Sequence, residues 1–414
     1  NVNATRTLSV DAAGYVQVNN ALTNNGTVVV EDNGQFIQIN ETDTNAGTYT
    51  GTAFQVKRNA DNIRSLDYVF WGAPVENYDI ANISGTLRYY WDTTFINPNG
   101  TEGYWLNASG NMVKGRGYIV RAPSSFSTPQ TLPVTFSGKP YNGQFNYAAT
   151  RGTNVGSNDD NLVLLGNPYA SALDADVFLS ENNTNLEGAV RIWTHGTLPS
   201  TAITSPFYQN FAANYTVNDY IVYNGTATTI PGVFDGKIAS GQGFFVTLLE
   251  SGAAAKNIVF KNSMRGNAIT PNVLDNTQFF KSAATGTSAE KHRIWLDIVG
   301  PINNVGKAVV GYVSGATMEK DNYYDAYAKL GSELSLYSLI GAEAMHIQGR
   351  ALPFVDTDII PLGIGVPVAG NHTIAIGYLD GLFAGNQNIY LEDRALAIIH
   401  DLKANPYHFT VANT

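Results

Sequence analysis

The sequence contains no cysteine. That removes a disulfide framework, a thiolate metal site and a cysteine nucleophile together. Charge is also scarce. Asp, Glu, Lys and Arg make up 14% of the 414 residues, against roughly 25% in ordinary soluble domains. Basic clusters are missing, and the formal net charge is −10. A protein that binds phosphate backbones gains affinity by releasing counterions through grouped Lys and Arg, so nucleic acid is not an expected partner. No apolar run approaches the roughly 20 residues of a membrane-spanning helix. The chain opens on Asn1-Val2-Asn3, with neither an initiator Met nor a signal peptide. Either processing removed the start or this is an internal piece of a longer protein; the second is favoured, because the opening residues look like the middle of a repeat.

What is abundant is material for sheets. Apolar residues reach 44%, and Tyr (23) and Phe (19) dominate the aromatics, so wholesale disorder is excluded. A chain this long predicts two to four domains. Runs of β-branched and aromatic residues bounded by Gly, Pro and Asn recur throughout, the signature of strands and turns. The expected class is all-β. Short β-solenoid-like rungs come first, then duplicated β-sandwich units, then a C-terminal jelly-roll-like β-sandwich.

Two repeats organise the chain. In the first, Leu8–Asn19 matches Val28–Asn40 with Leu8 over Val28 and Gly14 over Gly34; a one-residue slip then places Val18 over Ile39. Units of 20 or 21 residues cannot bury their own apolar faces and must stack on neighbours. Two ordinary hairpins on a sandwich edge are the alternative. The second repeat is longer. Tyr68–Val75, Leu87–Trp91, Lys114–Arg121 and Leu132–Gly138 recur in order as Leu162–Tyr169, Val190–Trp193, Ala239–Val246 and Asn257–Lys261. Extra length in the second copy falls between blocks, where loops tolerate it. The predicted division is 1–58 for the rungs, 59–150 and 151–275 for the two copies, and 276–414 for the last domain. In that domain nine short strands are expected, from Arg293–Val299 to Tyr407–Val411, with one helical turn or two within Met318–Lys329.

Three blocks carry a family resemblance: Leu165–Phe178, Ser240–Val246, and Ile389–Asp393 running on to His400–Leu402. They resemble the C-terminal region of large cell-surface, adhesin-like proteins exported by the type IX secretion system of Bacteroidetes, especially gliding flavobacteria, here without the sorting domain. The resemblance spans about residues 60–414. It implies an extracellular or outer-membrane-surface location and transient contact with the secretion machinery. It also implies that the run after Tyr407–Thr410 would continue into an Arg-Phe-rich strand and a sorting domain, whereas this sequence stops at Thr414.

Candidate chemistry is sparse. Asp174 and Asp176 could give hard oxygen ligands to calcium, the one cofactor considered; the competing reading has Asp174 capping a short helix from Ala175 to Ser180. Glu392-Asp393 and Asp356/Asp358 are acidic pairs, but glycoside hydrolysis needs two carboxylates facing one another across a sugar, which sequence does not establish. The six His (195, 292, 346, 372, 400 and 408) lack the i, i+2 or i, i+4 spacing of a metal site. Gly115/Gly117 and Gly241/Gly243 each precede a strand rather than a helix, so they read as turns and not as phosphate loops. Aromatics are the better prospect, because a flat ring can stack on the apolar face of a pyranose. Trp91 and Trp193 match across the duplication and read as core. Tyr104, Trp105, Tyr208 and Tyr215 lack such equivalents and are the surface candidates. Asp92-Thr93-Thr94 resembles a short O-glycosylation sequence of Bacteroidetes, with Thr93 the acceptor.

The leading expectation is a non-catalytic stalk, adhesin or assembly module, with surface polysaccharide or further copies of itself as partners. A carbohydrate-binding module is the alternative. An accessory part of a polysaccharide-degrading enzyme with catalytic rungs upstream is the third.

Overall fold

A computed structural model describes the chain except residues 13, 41–47, 52, 99, 154–159, 195–218, 268–271, 278–289, 329, 331–332 and 413–414. It is nearly all β, with 49% strand and 5% helix. The chain divides into two compact units, one of residues 1–220 and 236–283, the other of 221–235 and 284–414.

The first unit begins with parallel ladders. Thr7–Val10 lies beside Thr27–Val30 with Leu8 opposite Val28, and Tyr15–Val18 lies beside Gln35–Gln38. The 20-residue offset holds through both, so Val18 faces Gln38 and the expected slip to Ile39 does not occur. Leu22–Thr23 pairs in parallel with Tyr49–Thr50. The strand Phe54–Ile63 follows. That strand pairs in parallel with Thr27–Val30 on one edge and antiparallel with Gln130–Ser137 on the other. Its side chains alternate buried and partly exposed from Phe54 to Ala60, as a strand with one covered face should.

The two copies of the long repeat each contribute a sheet. The first holds Tyr68–Trp71, Arg88–Ile96, Glu102–Asn107 and Tyr118–Arg121. The second is built on Leu162–Gly166, Gly243–Leu248 and Leu186–Trp193. The two sheets pack on each other across the repeat. Phe70 stacks on Trp193 at 5.6 Å and meets Phe245 edge-on at 6.0 Å, and Trp91 meets Phe245 at 6.3 Å. Tyr68–Trp71 is also buried on its other face, where Trp71 packs on Phe136 of Gln130–Ser137 at 5.9 Å. On the second sheet, Phe244 packs on Phe178 of the helix Ala175–Glu181 at 5.6 Å. Strands covered on both faces need continuous apolar runs instead of alternation, which explains Tyr68–Trp71 and Leu162–Leu165.

The copies meet reciprocally at their glycine turns. Gly72 N–H donates to Gly241 O (2.7 Å), and the equivalent Gly166 N–H donates to Gly115 O (3.0 Å). The bridge between Trp71 and Gln242 has its counterpart between Arg116 and Leu165. A Cβ placed on Gly72 would lie 2.6 Å from Gly166 Cα. Only glycine lets the two backbones approach this closely.

In the second unit one mixed sheet runs in the order Leu362–Gly365, Ser335–Ile340, Glu343–Ala351, Val305–Val313, Lys291–Val299, Gly370–Leu379, Tyr407–Val411. It curls into a half-barrel. Its core joins Ile294, Leu296, Val310, Tyr312 and Ile374 with Phe383, Ile389 and Leu402. The hairpin Tyr390–Asp393/Ile398–Asp401 is a separate two-stranded sheet. The helical turn expected in Met318–Lys329 reduces to one at Asp321–Asp325, where Tyr324 and Asp325 N–H both donate to Asp321 O. A short strand, Ala326–Tyr327, follows it.

Candidate binding surface

The hairpin Arg88–Ile96/Glu102–Asn107 decides which aromatics reach the surface. Trp105 lies opposite Trp91, and Leu106 opposite Tyr90. Directly paired residues share a face, so both tryptophans point into the sandwich. Trp105 is 3% exposed, edge-on to Trp91 at 5.2 Å and to Phe245 at 6.1 Å. Expected as a surface platform, Trp105 is instead core, because period-2 alternation sends it inward with Trp91. Its neighbour Tyr104 points the other way and is partly exposed. A register shift between Glu102 and Tyr104, with Gly103 at φ 98°, accompanies the stacking of Tyr104 on Phe95 at 5.6 Å and 19°. Phe95 is 45% exposed.

Cations lie among further rings on the same unit. The Arg116 guanidinium sits 4.8 Å from the Tyr90 ring centre, and its Nε donates to the Tyr147 hydroxyl at 3.3 Å. Burial opposes the Arg116 charge, but Tyr147 and the bond to it more than offset that, so its pKa is raised. Lys114 Nζ lies 4.1 Å over Phe145 and 5.0 Å over Tyr141. Burial, with the nearby Glu76 charge, pushes the Tyr141 hydroxyl up to about 12. All these side chains are partly exposed. Flat rings beside permanent cations offer stacking faces and hydrogen-bond donors, the chemistry that holds a sugar ring with a carboxylate or hydroxyl edge.

Other candidate positions are occupied by structural bonds. Asp174 caps the helix Ala175–Glu181, its Oδ1 accepting from the N–H groups of Asp176 (3.0 Å) and Val177 (3.4 Å). Its Oδ2 accepts from Lys237 Nζ at 2.8 Å. An ammonium thus holds the oxygen that a calcium ion would need, while Asp176 lies in the first turn of the helix. Among the described residues no group of three or more His, Asp or Glu is arranged to hold a metal. Thr93 Oγ1 donates to Thr150 O, and Thr94 Oγ1 to Asp92 Oδ1. Asp393 accepts from the Tyr407 hydroxyl (2.7 Å) and from two N–H groups of its own turn. Glu392 pairs with the exposed Arg394. Tyr208, Tyr215 and His195 lie outside the described residues.

Asp358 is held by an arginine and a tyrosine. It accepts two bonds from Arg350 (2.5 and 2.6 Å) and one from the Tyr312 hydroxyl (2.7 Å). Burial opposes its ionisation, but these donors outweigh burial and hold its carboxyl below the usual range. Tyr312 and Arg350 were not singled out by sequence. The available signal was a lone Arg ending a buried strand.

The sequence model of DUF8693, a domain of unknown function, matches residues 1–414. The chain belongs to this family. No curated protein and no solved structure matches it. Within this DUF8693 chain the aromatic and cationic side chains around Tyr104, Tyr90 and Phe145 form the best candidate contact surface on the first unit.

Proposed function

We propose that this DUF8693 chain is a non-catalytic module of an exported cell-surface protein, acting as a stalk or adhesive part. The observation that carries the reading is the double burial of Tyr68–Trp71, Leu162–Gly166 and Gly243–Leu248. Apolar content goes into joining layers into one body, as a spacer under tension requires. The acidic side chains Asp174, Asp358 and Asp393 serve caps, ion pairs and turns. The resemblance of Leu165–Phe178, Ser240–Val246 and Ile389–Leu402 to type IX-exported proteins supports the location. The test is to incubate the protein with a panel of bacterial and algal polysaccharides and follow reducing ends and unsaturated products. Signal no greater than in protein-free controls is expected; turnover on any of them would overturn the reading.

A second reading, polysaccharide contact, is favoured by the stacked pair Phe95 and Tyr104, with Phe95 45% exposed. On a glycan array, Phe95→Ala and Tyr104→Ala should each weaken any binding at least about fivefold, given about 1–3 kcal/mol per stacked ring. Binding that survives both changes would eliminate this surface.

A further inference from the structure

The chain crosses between its two units three times, because residues 221–235 belong to the second although the sequence on both sides of them belongs to the first. This segment folds as a tight hairpin. Thr229 N–H donates to Val222 O (2.9 Å), and Asn224 Oδ1 accepts from the N–H groups of Thr226 (3.0 Å) and Ala227 (3.1 Å). Its tip is polar in sequence yet buried. Asn224 and Thr226 are 0% exposed, and Thr229 is 2% exposed. Buried polar backbone must find partners, and the second unit supplies them. Gly225 N–H donates to Tyr323 O (3.2 Å), and the Thr226 hydroxyl to Tyr324 O (2.7 Å). In the other direction Lys291 Nζ donates to Gly225 O (2.7 Å), Arg293 Nη1 to Thr226 O (3.3 Å) and Trp295 Nε1 to Thr228 O (2.7 Å).

The notch is shaped as well as wired. Gly311 and Gly349 are register partners on adjacent parallel strands. A Cβ on Gly311 would lie 2.7 Å from Thr226 Cγ2, and one on Gly349 2.8 Å from Thr226 Oγ1. Two glycines side by side thus open room for one threonine. A Cβ on Gly225 would collide with the Tyr323 ring, so both sides of the contact depend on glycine.

We propose that residues 221–235 are a donor segment, which completes the second unit although the chain on both sides of it belongs to the first. The recognised element is a tight Asn-Gly-Thr turn, read through its backbone carbonyls by Lys291, Arg293 and Trp295.

The test uses the full chain with a protease site inserted between Ala283 and Ala284, cut to completion as judged on a denaturing gel. Under native sizing the cut protein should run as one species of the parent size, and hydrogen exchange at 222–229 should stay as slow as in the uncut chain. Gly311→Val with Gly349→Val fills the notch and should raise the dissociation constant of the cut protein at least about tenfold. Thr226→Val, which keeps the shape and loses the hydroxyl bond, gives a milder change in the same direction should the double variant fail to fold. Fragments that separate without any substitution would overturn the proposal. So would cut variants, both the glycine pair and Thr226→Val, that hold together as tightly as the cut parent.

Discussion

Trp105→Ala and Tyr104→Ala test the assignment of faces, because neighbours in sequence should behave oppositely. Trp105 is 3% exposed and makes edge contacts with Phe70, Trp91 and Phe245. An indole buries about 150–250 Å², worth about 4–6 kcal/mol at about 25 cal/mol per Å². Part of that is recovered as the site relaxes, and measured Trp→Ala losses in cores are about 3–5 kcal/mol. Tyr104 is partly exposed, so its removal should cost about 1 kcal/mol or less. The assay is guanidinium unfolding followed by near-UV circular dichroism at 25 °C, comparing midpoints at constant slope. Trp105→Phe, which keeps most of the ring bulk, should fall between the two. A Trp105→Ala midpoint that matches the parent, or a Tyr104→Ala loss as large as that of Trp105→Ala, would refute the packing scheme.

Three further outcomes follow from the same geometry. Gly166→Ala puts a methyl against Gly72 Cα, a backbone atom that cannot swing aside, and should destabilise by about 1–3 kcal/mol or more in thermal unfolding; an unchanged midpoint would deny the close approach. Asp174→Ala removes the helix cap and the Lys237 pair, at a cost of about 0.5–2 kcal/mol. Millimolar calcium should leave the melting temperature unshifted in both parent and variant, and a calcium-dependent rise in the parent would contradict the assignment of Lys237 as partner. Burial raises the Asp325 carboxyl to about 6. The folded state then binds more protons than the unfolded state between the two values, so this group's contribution to stability should grow as pH falls from about 7 to about 4. The Asp325→Asn variant should lose that slope, by an amount on the order of 2–3 kcal/mol. An identical pH profile in the variant would remove the claim.

Local pattern explains what was legible in the sequence. Leu8 over Val28 and Gly14 over Gly34 gave the parallel register, because identical strand and turn chemistry recurs at fixed spacing. The slip was misread because Ile39 looks more like Val18 than Gln38 does, whereas backbone pairing continues in register regardless of side-chain likeness. Most of the C-terminal strands were marked by their own alternation and flanking turns. Their order in one curled sheet was not, since pairing between distant segments leaves no local trace; Glu343–Ala351, for example, lies parallel to Val305–Val313. Trp105 and Tyr104 were indistinguishable as sequence, and only the register with Trp91 and Tyr90 separates them. The Asp358, Arg350 and Tyr312 set was missed for the same reason, its members lying 8 and 46 residues apart.

The two repeat copies are one body, each burying strands of the other, and native-state hydrogen exchange across a denaturant series reads whether they open together. Amides in Tyr68–Trp71, Tyr118–Arg121, Leu162–Gly166 and Gly243–Leu248 should converge on a single opening free energy. Two separate isotherms, with one copy opening while the other stays protected, would contradict the account.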